Sequence, residues 1–192
     1  MISFMENYSN KLYGALQLLP QGNIELFFNE VLSVWQKNAQ IFICGNGGSG
    51  ANALHIANDL FYGVAKGAGK GIKVHALTAN QAIMTCFAND LSYKEIFSQQ
   101  LEVLANPGDM LIAFSGSGNS PNILDALEKA KTLKMTSCAI LGYSGGAALG
   151  MSDIPIHVPV DDMQISEDAQ VIICHALMQW LNGQNPYKNK RG

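Results

Sequence analysis

The chain has 192 residues, enough for one domain of ordinary size with a substantial buried core. Its net charge of -3 and its few, scattered basic residues exclude an electrostatic case for binding nucleic acid. Only 14% of the residues are charged and 48% are hydrophobic, which suggests that other subunits cover part of the surface.

The sequence shows no membrane or secretion signal. No apolar run is long enough to span a bilayer, and the first residues lack the basic-then-apolar pattern of a signal peptide. The cysteines have no paired spacing and stand among apolar residues, which predicts reduced, buried thiols at Cys44, Cys86, Cys138 and Cys174. We therefore expect a cytoplasmic protein that does not bind membranes.

Two helices are predicted before the first strand. Apolar residues recur every three to four positions over residues 3–20, and Pro20-Gln21-Gly22-Asn23 ends that pattern. Apolar residues between Ile24 and Trp35 indicate the second helix. The apolar faces are broad, so we expect this pair, residues 1–38, to pack partly on its own domain and partly on a partner subunit.

From residue 39 the pattern alternates between strands and helices. Strands are predicted at Ile41–Cys44, Ile72–Leu77, Met110–Phe114, Thr136–Leu141 and Ile154–Val158. Helices are predicted at Ser49–Tyr62, Gln81–Phe87, Glu95–Leu104, Asn122–Leu133 and Ile165–Leu181. The alternation predicts an α/β core over residues 39–183, with a five-stranded parallel sheet covered on both faces. Residues 184–192 form a solvated tail in this prediction.

Two glycine-rich turns follow predicted strands, at Gly45–Ser49 and at Ser115–Pro121. Both lie at carboxyl ends of strands, where parallel sheets bind their ligands. Free N–H groups at helix starts favour anions, and serine hydroxyls can satisfy phosphate oxygens. The alternative for the second turn is a flexible loop in which Asn119 or Ser120 caps the next helix. Neither turn matches a P-loop or a dinucleotide fingerprint, which disfavours ATP and NAD.

Titratable residues that could carry chemistry lie on two predicted helices. His55 and Asp59 are four residues apart on one helix face, where they either bind a metal ion together or form a surface pair. His175 stands among apolar residues, a setting that is also typical of a core histidine. Glu167 precedes His175 by eight residues, about 12 Å along a helix axis, which is awkward for one metal site. A subunit interface or an unwound first turn would ease this.

Three further positions are compatible with a purely structural role. Asn89-Asp90 lies between predicted helices and either binds sugar hydroxyls or forms an Asx turn. His75 and His157 lie within strand patterns and are interpreted as structural.

Taken in order, the motifs resemble the sugar isomerase (SIS) domain family, and within it the phosphoheptose isomerases most closely. The matching segments are Gly45–Ser49, Leu54–Leu60, Asn89-Asp90, Ser115–Ser120 and the closing helix with His175. The resemblance covers nearly the whole chain, as a single SIS domain of residues 1–192. It implies a three-layer αβα sandwich and a homotetramer with active sites at subunit junctions.

The resemblance also implies a role for each matching residue. The substrate would contact Asn46, Gly47, Gly48, Ser49, Asp59, Asn89, Asp90 and Glu167, and its phosphate would lie on Ser115, Gly116, Ser117 and Ser120. Metal ligands would be His55, Asp59, Glu167 and His175, with one Zn²⁺ per subunit. Asp59 and His175 would transfer protons.

Two of these residues depart from the family pattern. Asp59 stands where a glutamate serves as metal ligand and base, so its carboxylate reaches one methylene less far. Glu167 stands where a glutamine is usual, and its added negative charge would strengthen binding of a cation. Both keep side chains that can ligate a metal, so we expect an active site.

The activity implied is aldose–ketose isomerisation of sedoheptulose 7-phosphate to D-glycero-D-manno-heptose 7-phosphate through an enediol, with heptose for lipopolysaccharide or another surface glycan as the destination. The alternative is a non-catalytic SIS protein, similar to the replication-initiation-associating branch, that binds a sugar phosphate or a protein partner. The retained His55, Asp59 and His175 argue against that alternative.

Overall fold

The computed structural model describes residues 2–66 and 69–187. Five strands form one sheet in the order β2-β1-β3-β4-β5, and all neighbouring pairs are parallel. The strands are β1 (Gln40–Gly45), β2 (Lys73–Ala76), β3 (Met110–Ser115), β4 (Thr136–Leu141) and β5 (Ile154–His157). The predicted α/β class and the five-stranded parallel sheet are confirmed.

Helices connect the strands and precede them. They are α1 (Ile2–Gln17), α2 (Gln21–Gln36), α3 (Gly47–Phe61), α4 (Gln81–Asp90), α5 (Ser98–Leu104), α6 (Pro121–Thr132), α7 (Ala148–Met151) and α8 (Met163–Gln184). Short 3-10 turns lie at Gly63–Ala65 and Tyr93–Glu95. No helix in these described parts of the chain is long and apolar enough to cross a membrane.

The sheet separates two hydrophobic cores, because successive side chains of a strand point to opposite faces. In β1, Ile41 and Ile43 belong to one core together with residues of α1, α2, α3 and α8. Phe42 and Cys44 point the other way, into the layer that contains α5, α6 and α7. The three inner strands β1, β3 and β4 are buried on both sides, which explains their unbroken apolar runs, whereas the edge strand β2 has no fully buried residue. The three-layer αβα sandwich is confirmed.

The first helix packs on its own domain through polar contacts with α8. The Tyr8 hydroxyl donates to Asp168 over 2.6 Å, and Lys11 pairs with Asp162 over 2.7 Å. Donation to the carboxylate raises the pKa of Tyr8 to about 12, and the bond from Lys11 lowers the pKa of Asp162. Large apolar side chains of α1 and α2, such as Phe4, Tyr13 and Leu26, are exposed.

Cys86 corrects the prediction that all four cysteines are buried. It lies on α4, no residue of which is fully buried, and it is exposed to solvent. Its apolar neighbours along the chain are therefore not core residues. The thiol donates to Asp90 over 3.4 Å, which raises the pKa of Cys86. Cys44, Cys138 and Cys174 are buried and unpaired, as predicted.

Two local differences concern the connections. Helix α4 continues to Asp90, so Asn89-Asp90 occupies its last turn rather than a loop. The segment 142–150, between the predicted strands Thr136–Leu141 and Ile154–Val158, contains the short helix α7, where Ala148 and Leu149 are good helix formers. Residues 67–68, between the predicted helix Ser49–Tyr62 and the second strand, and 188–192, in the predicted tail, lie outside the described residues.

A tight turn joins β1 to α3. A Cβ on Gly45 would lie 2.6 Å from the carbonyl carbon and oxygen of Ser49, so any larger residue collides with the backbone. Gly47 has a φ of +54°, which favours glycine. The turn therefore needs glycine at both positions to start α3 immediately after the strand.

We expect Gly45→Ala to lower the free energy of unfolding by about 2 kcal/mol, because the new methyl group overpacks a fixed backbone turn. Urea unfolding followed by circular dichroism measures this. Gly14→Ala is the matched control: Gly14 is exposed in α1, and an added methyl group there would meet nothing within 4 Å. It should raise stability by roughly 0.5–1 kcal/mol. Unchanged stability of Gly45→Ala would contradict the proposed collision.

Candidate functional site

Both glycine-rich turns open onto one cleft of about 270 Å³ at the carboxyl edge of the sheet. β1 and β3 are neighbours, with Gly45 opposite Phe114, so their following turns lie side by side. The cleft is lined by Asn46, Gly47, Gly48, Ser49, Phe114, Ser115, Gly116, Ser117, Ser120, Met163 and Glu167. The structure thus brings together most of the residues predicted for substrate and phosphate binding.

The second turn is held open by its own side chains. The Ser115 hydroxyl accepts the N–H of Gly118, and the Ser117 hydroxyl accepts the N–H of Asn119. Ser120 occupies the N-cap position of α6, but its side chain makes no capping hydrogen bond. The alternative of a side-chain cap by Ser120 is therefore wrong, and its hydroxyl can serve a ligand.

Helix starts make the cleft attractive to anions. α3 begins at Gly47 and α6 at Pro121, and both send their first turns toward it. The unpaired N–H groups and the helix dipoles favour negative charge there. The cleft therefore fits a phosphate group without lysine or arginine in its lining.

Glu167 places a carboxylate in this same cleft. Its oxygens lie so near Gly48 that a Cβ there would collide with them. Among the described residues, none hydrogen bonds to the Glu167 carboxylate. A half-buried carboxylate without a partner, beside an anion cleft, is available to accept hydrogen bonds from ligand hydroxyls or to bind a cation.

Three potential metal ligands meet between α3 and α8. The Nε2 atoms of His55 and His175 lie 2.8 Å apart, and Asp59 Oδ2 lies 3.7 Å from the first and 3.4 Å from the second. The ligand atoms of all three residues fall within 4.8 Å of one another. His55 and Asp59 therefore form more than a simple surface pair. His175 faces them and does not lie in the core.

The geometry of the cluster fits a zinc ion. Zinc–nitrogen and zinc–oxygen bonds of about 2.0–2.1 Å in a tetrahedron separate neighbouring ligands by about 3.4 Å. The two distances to Asp59 agree with that spacing, and the two imidazole nitrogens would move apart slightly. Three protein ligands would leave a fourth position open, as catalytic zinc sites require.

Glu167 is not part of this cluster in one chain. α8 is a continuous helix from Met163 to Gln184, so Glu167 does not lie on an unwound turn and that alternative is wrong. A regular helix keeps it about 12 Å from His175 along the axis. Sharing of one metal between these two residues would therefore require a second subunit, and that stays a prediction.

Asn89 and Asp90 lie at the exposed end of α4, outside the lining of the cleft. Asn89 donates to Asp90 over 2.8 Å, and Asp90 also accepts the Cys86 thiol. Any contact of this pair with a ligand stays a prediction.

Sequence reasoning missed a polar clamp between α3 and α8. Buried Gln170 donates to Ser49, while Asn52 donates to Gln170 and to the Glu167 carbonyl, each over 3.0–3.1 Å. These bonds fix the spacing of the two helices that carry the histidines. The only signal in the sequence is a glutamine within the apolar pattern of the last helix.

A second missed residue joins the two turns. Asn122, on the first turn of α6 and 1% exposed, exchanges two amide hydrogen bonds with Asn46. Its position directly after Ser115–Pro121 was the feature of the sequence that could have indicated a role at the cleft.

A five-stranded parallel sheet between two helical layers, with a serine-lined cleft at the strand ends, is the architecture of a sugar isomerase domain. The profile of the SIS domain family matches residues 6–142, and the chain belongs to that family.

Phosphoheptose isomerases are among the proteins similar to this chain. Phosphoheptose isomerase 1 of Campylobacter jejuni is 40% identical over 169 residues, covering 88% of this chain and 90% of that protein. Phosphoheptose isomerase of Helicobacter pylori is 36% identical over 159 residues, covering 83% and 82%. The solved structure of a phosphoheptose isomerase from Francisella tularensis superposes with a TM-score of 0.88 at 29% identity, covering 94% of this chain and 95% of that one.

We expect His55→Ala and His175→Ala each to weaken Zn²⁺ binding by at least about a hundredfold, since even outer partners of metal ligands contribute about 10- to 100-fold. Calorimetric titration of chelator-treated protein with zinc chloride measures this. His75→Ala is the control, because His75 stacks on Phe42 in the sheet, away from the cluster. Equal zinc affinity in all four proteins would remove the metal site.

Proposed function

We propose that the protein is an aldose–ketose isomerase that interconverts sedoheptulose 7-phosphate and D-glycero-D-manno-heptose 7-phosphate. The observation that carries the proposal is that one chain presents both an anion cleft lined by serines and a His-Asp-His cluster suited to one cation. The names of the relatives add the substrate class.

The cleft binds the substrate in this proposal. Ser115, Gly116, Ser117 and Ser120 hold the phosphate, and Asn46, Gly47, Gly48 and Ser49 meet the sugar chain. Asn89 and Asp90 bind sugar hydroxyls. Anchoring the phosphate, which takes no part in the reaction, holds the open-chain sugar in position for proton transfer.

Asp59 and His175 move the protons. One of them removes the proton from the carbon beside the carbonyl, and the other protonates the neighbouring carbon or oxygen. His55 lies beside them and would hold the cation together with Asp59 and His175. A Zn²⁺ ion held by the three residues would polarise the carbonyl and favour loss of the adjacent proton.

Two half-sites on one chain support a homotetramer with shared active sites. Glu167 belongs to the serine cleft, whereas the histidines belong to the cluster farther along α8. Joining the cleft of one subunit to the cluster of another would let Glu167 become the fourth ligand, and the substrate oxygen would then bind as a fifth, a number that catalytic zinc can accept. Exposed Leu54 and Phe61 on α3, and Tyr62 directly after it, offer apolar surface next to the cluster for such contacts.

A cytoplasmic location completes the proposal. Three of the four cysteines are buried and unpaired, which suits a reducing compartment.

Turnover tests the activity directly. Zinc-loaded protein should isomerise sedoheptulose 7-phosphate and incorporate solvent deuterium beside the carbonyl. Asp59→Asn and His175→Ala should each lower kcat by about a hundredfold or more, because each removes a proton-transfer group. Asp59→Glu, which keeps a carboxylate, should stay active. An unchanged substrate, with other ketose phosphates also unchanged, would reject the isomerase, and binding without turnover would favour the non-catalytic alternative.

Mixing of inactive variants tests the shared site. Glu167→Ala and His175→Ala, dissociated and reassembled together, should recover about a quarter of wild-type activity, because some hybrid sites receive both intact residues. Asp59→Ala mixed with His175→Ala is the matched control. Both residues come from one chain in the cluster, so this mixture should stay inactive. Equal recovery, or none, in the two mixtures would contradict sharing between subunits.

A further inference from the structure

We propose that Asn122 and Tyr93 are positioning residues that fix the side chain of Asn46 as a hydrogen-bond donor toward the substrate. The inference deepens the proposed function and rests on it, since Asn46 lines the cleft where the sugar phosphate binds. Neither residue carries chemistry of its own.

The first step concerns what Asn46 does not do. It is the N-cap residue of α3, and asparagine at that position commonly accepts an N–H from the first helical turn. Here its side chain makes no capping hydrogen bond. Another interaction therefore takes the amide away from the helix.

That interaction is a reciprocal pair with Asn122. Asn46 Nδ2 donates to Asn122 Oδ1 over 2.9 Å, and Asn122 Nδ2 donates to Asn46 Oδ1 over 2.8 Å. Asn122 is 1% exposed, so its amide cannot exchange these bonds for water without a cost. The pair also ties the turn after β1 to the start of α6.

Tyr93 completes the arrangement from the other side. Its hydroxyl donates to Asn46 Oδ1 over 3.1 Å, and Tyr93 lines a neighbouring cavity that Asn46 shares. The two lone pairs of that oxygen are then both occupied. Within the described residues, the second N–H of Asn46 Nδ2 has no acceptor.

The consequence is chemical selectivity at Asn46. Its oxygen is saturated and its free N–H is fixed in direction, so it can recognise only an acceptor atom of the ligand. A sugar hydroxyl, carbonyl or phosphate oxygen meets that requirement. Without Asn122, the amide can rotate and its oxygen can return to the helix start.

A double-mutant cycle on the zinc-loaded full chain tests this, with sedoheptulose 7-phosphate as the probe. Asn122→Ala should raise KM about tenfold with little change in kcat, the effect of losing one oriented hydrogen bond. In an Asn46→Ala background, the same substitution should leave KM unchanged, because its target is gone. Equal effects in both backgrounds would overturn the inference.

Gln100→Ala controls for general destabilisation. Gln100 is likewise a buried amide, donating to the carbonyls of Leu77 and Ile96, and it has no contact with the cleft. It should lower the melting temperature without changing KM. An Asn122→Ala protein that behaves in the same way, less stable but with normal KM, would reduce Asn122 to a structural role and reject the proposal.

Tyr93→Phe provides a second test of the inference, which applies even if the Asn122→Ala protein does not fold. Tyr93 is 57% exposed, so loss of its hydroxyl should not disturb the core. It should raise KM about threefold in the wild-type background and not at all beside Asn46→Ala. An unchanged KM in the wild-type background would overturn the proposal.

Calorimetry with the same sugar phosphate separates the two proposals. If wild-type protein binds the sugar phosphate but does not convert it, the isomerase proposal is rejected. The positioning inference is then tested by the same double-mutant cycle, with binding affinity measured in place of KM. In that case, a tenfold loss of affinity in Asn122→Ala that disappears beside Asn46→Ala supports it, and equal losses in both backgrounds overturn it.

Discussion

The parallel pairing of β1 with β3 is the constraint on which the cleft depends. Because Gly45 lies opposite Phe114, both strands end at the same level and both following turns open to the same side. The helices after them then start at the cleft, and their unpaired N–H groups converge. A shift of this register would separate the serines from the turn that carries Asn46.

The histidine cluster depends on a different contact, the packing of α3 against α8. Buried Gln170 spans the two helices through Ser49 and Asn52 at the level of the first turns. Apolar residues such as Ile56 and Ile173 fill the space beneath. Removing either end of the clamp would leave a buried polar group without a partner, at a cost of about 1–3 kcal/mol. The clamp therefore fixes the distance between the two histidines in two ways: it sets the spacing of α3 and α8, and breaking it would destabilise the fold.

The sequence was informative where a pattern is local. Hydrophobic periodicity predicted the strands and most helices, and glycines after Cys44 and Phe114 marked the turns. It could not place His175 beside His55, since 120 positions separate them and only the return of α8 over α3 joins them. Cys86 was misplaced because apolar neighbours on the peripheral α4 do not make a core. Asn122 escaped notice because a single amide has no period.

The unbroken course of α8 has a consequence for an assembled oligomer. Under the proposed sharing, Glu167 near one end of the helix serves one active centre, and His175, about a third of the helix length away, serves the next. Each copy of the helix would then contribute residues to two catalytic centres and connect them. A bend or rotation caused at one centre would be transmitted to its neighbour, so the centres of the oligomer would not be mechanically independent.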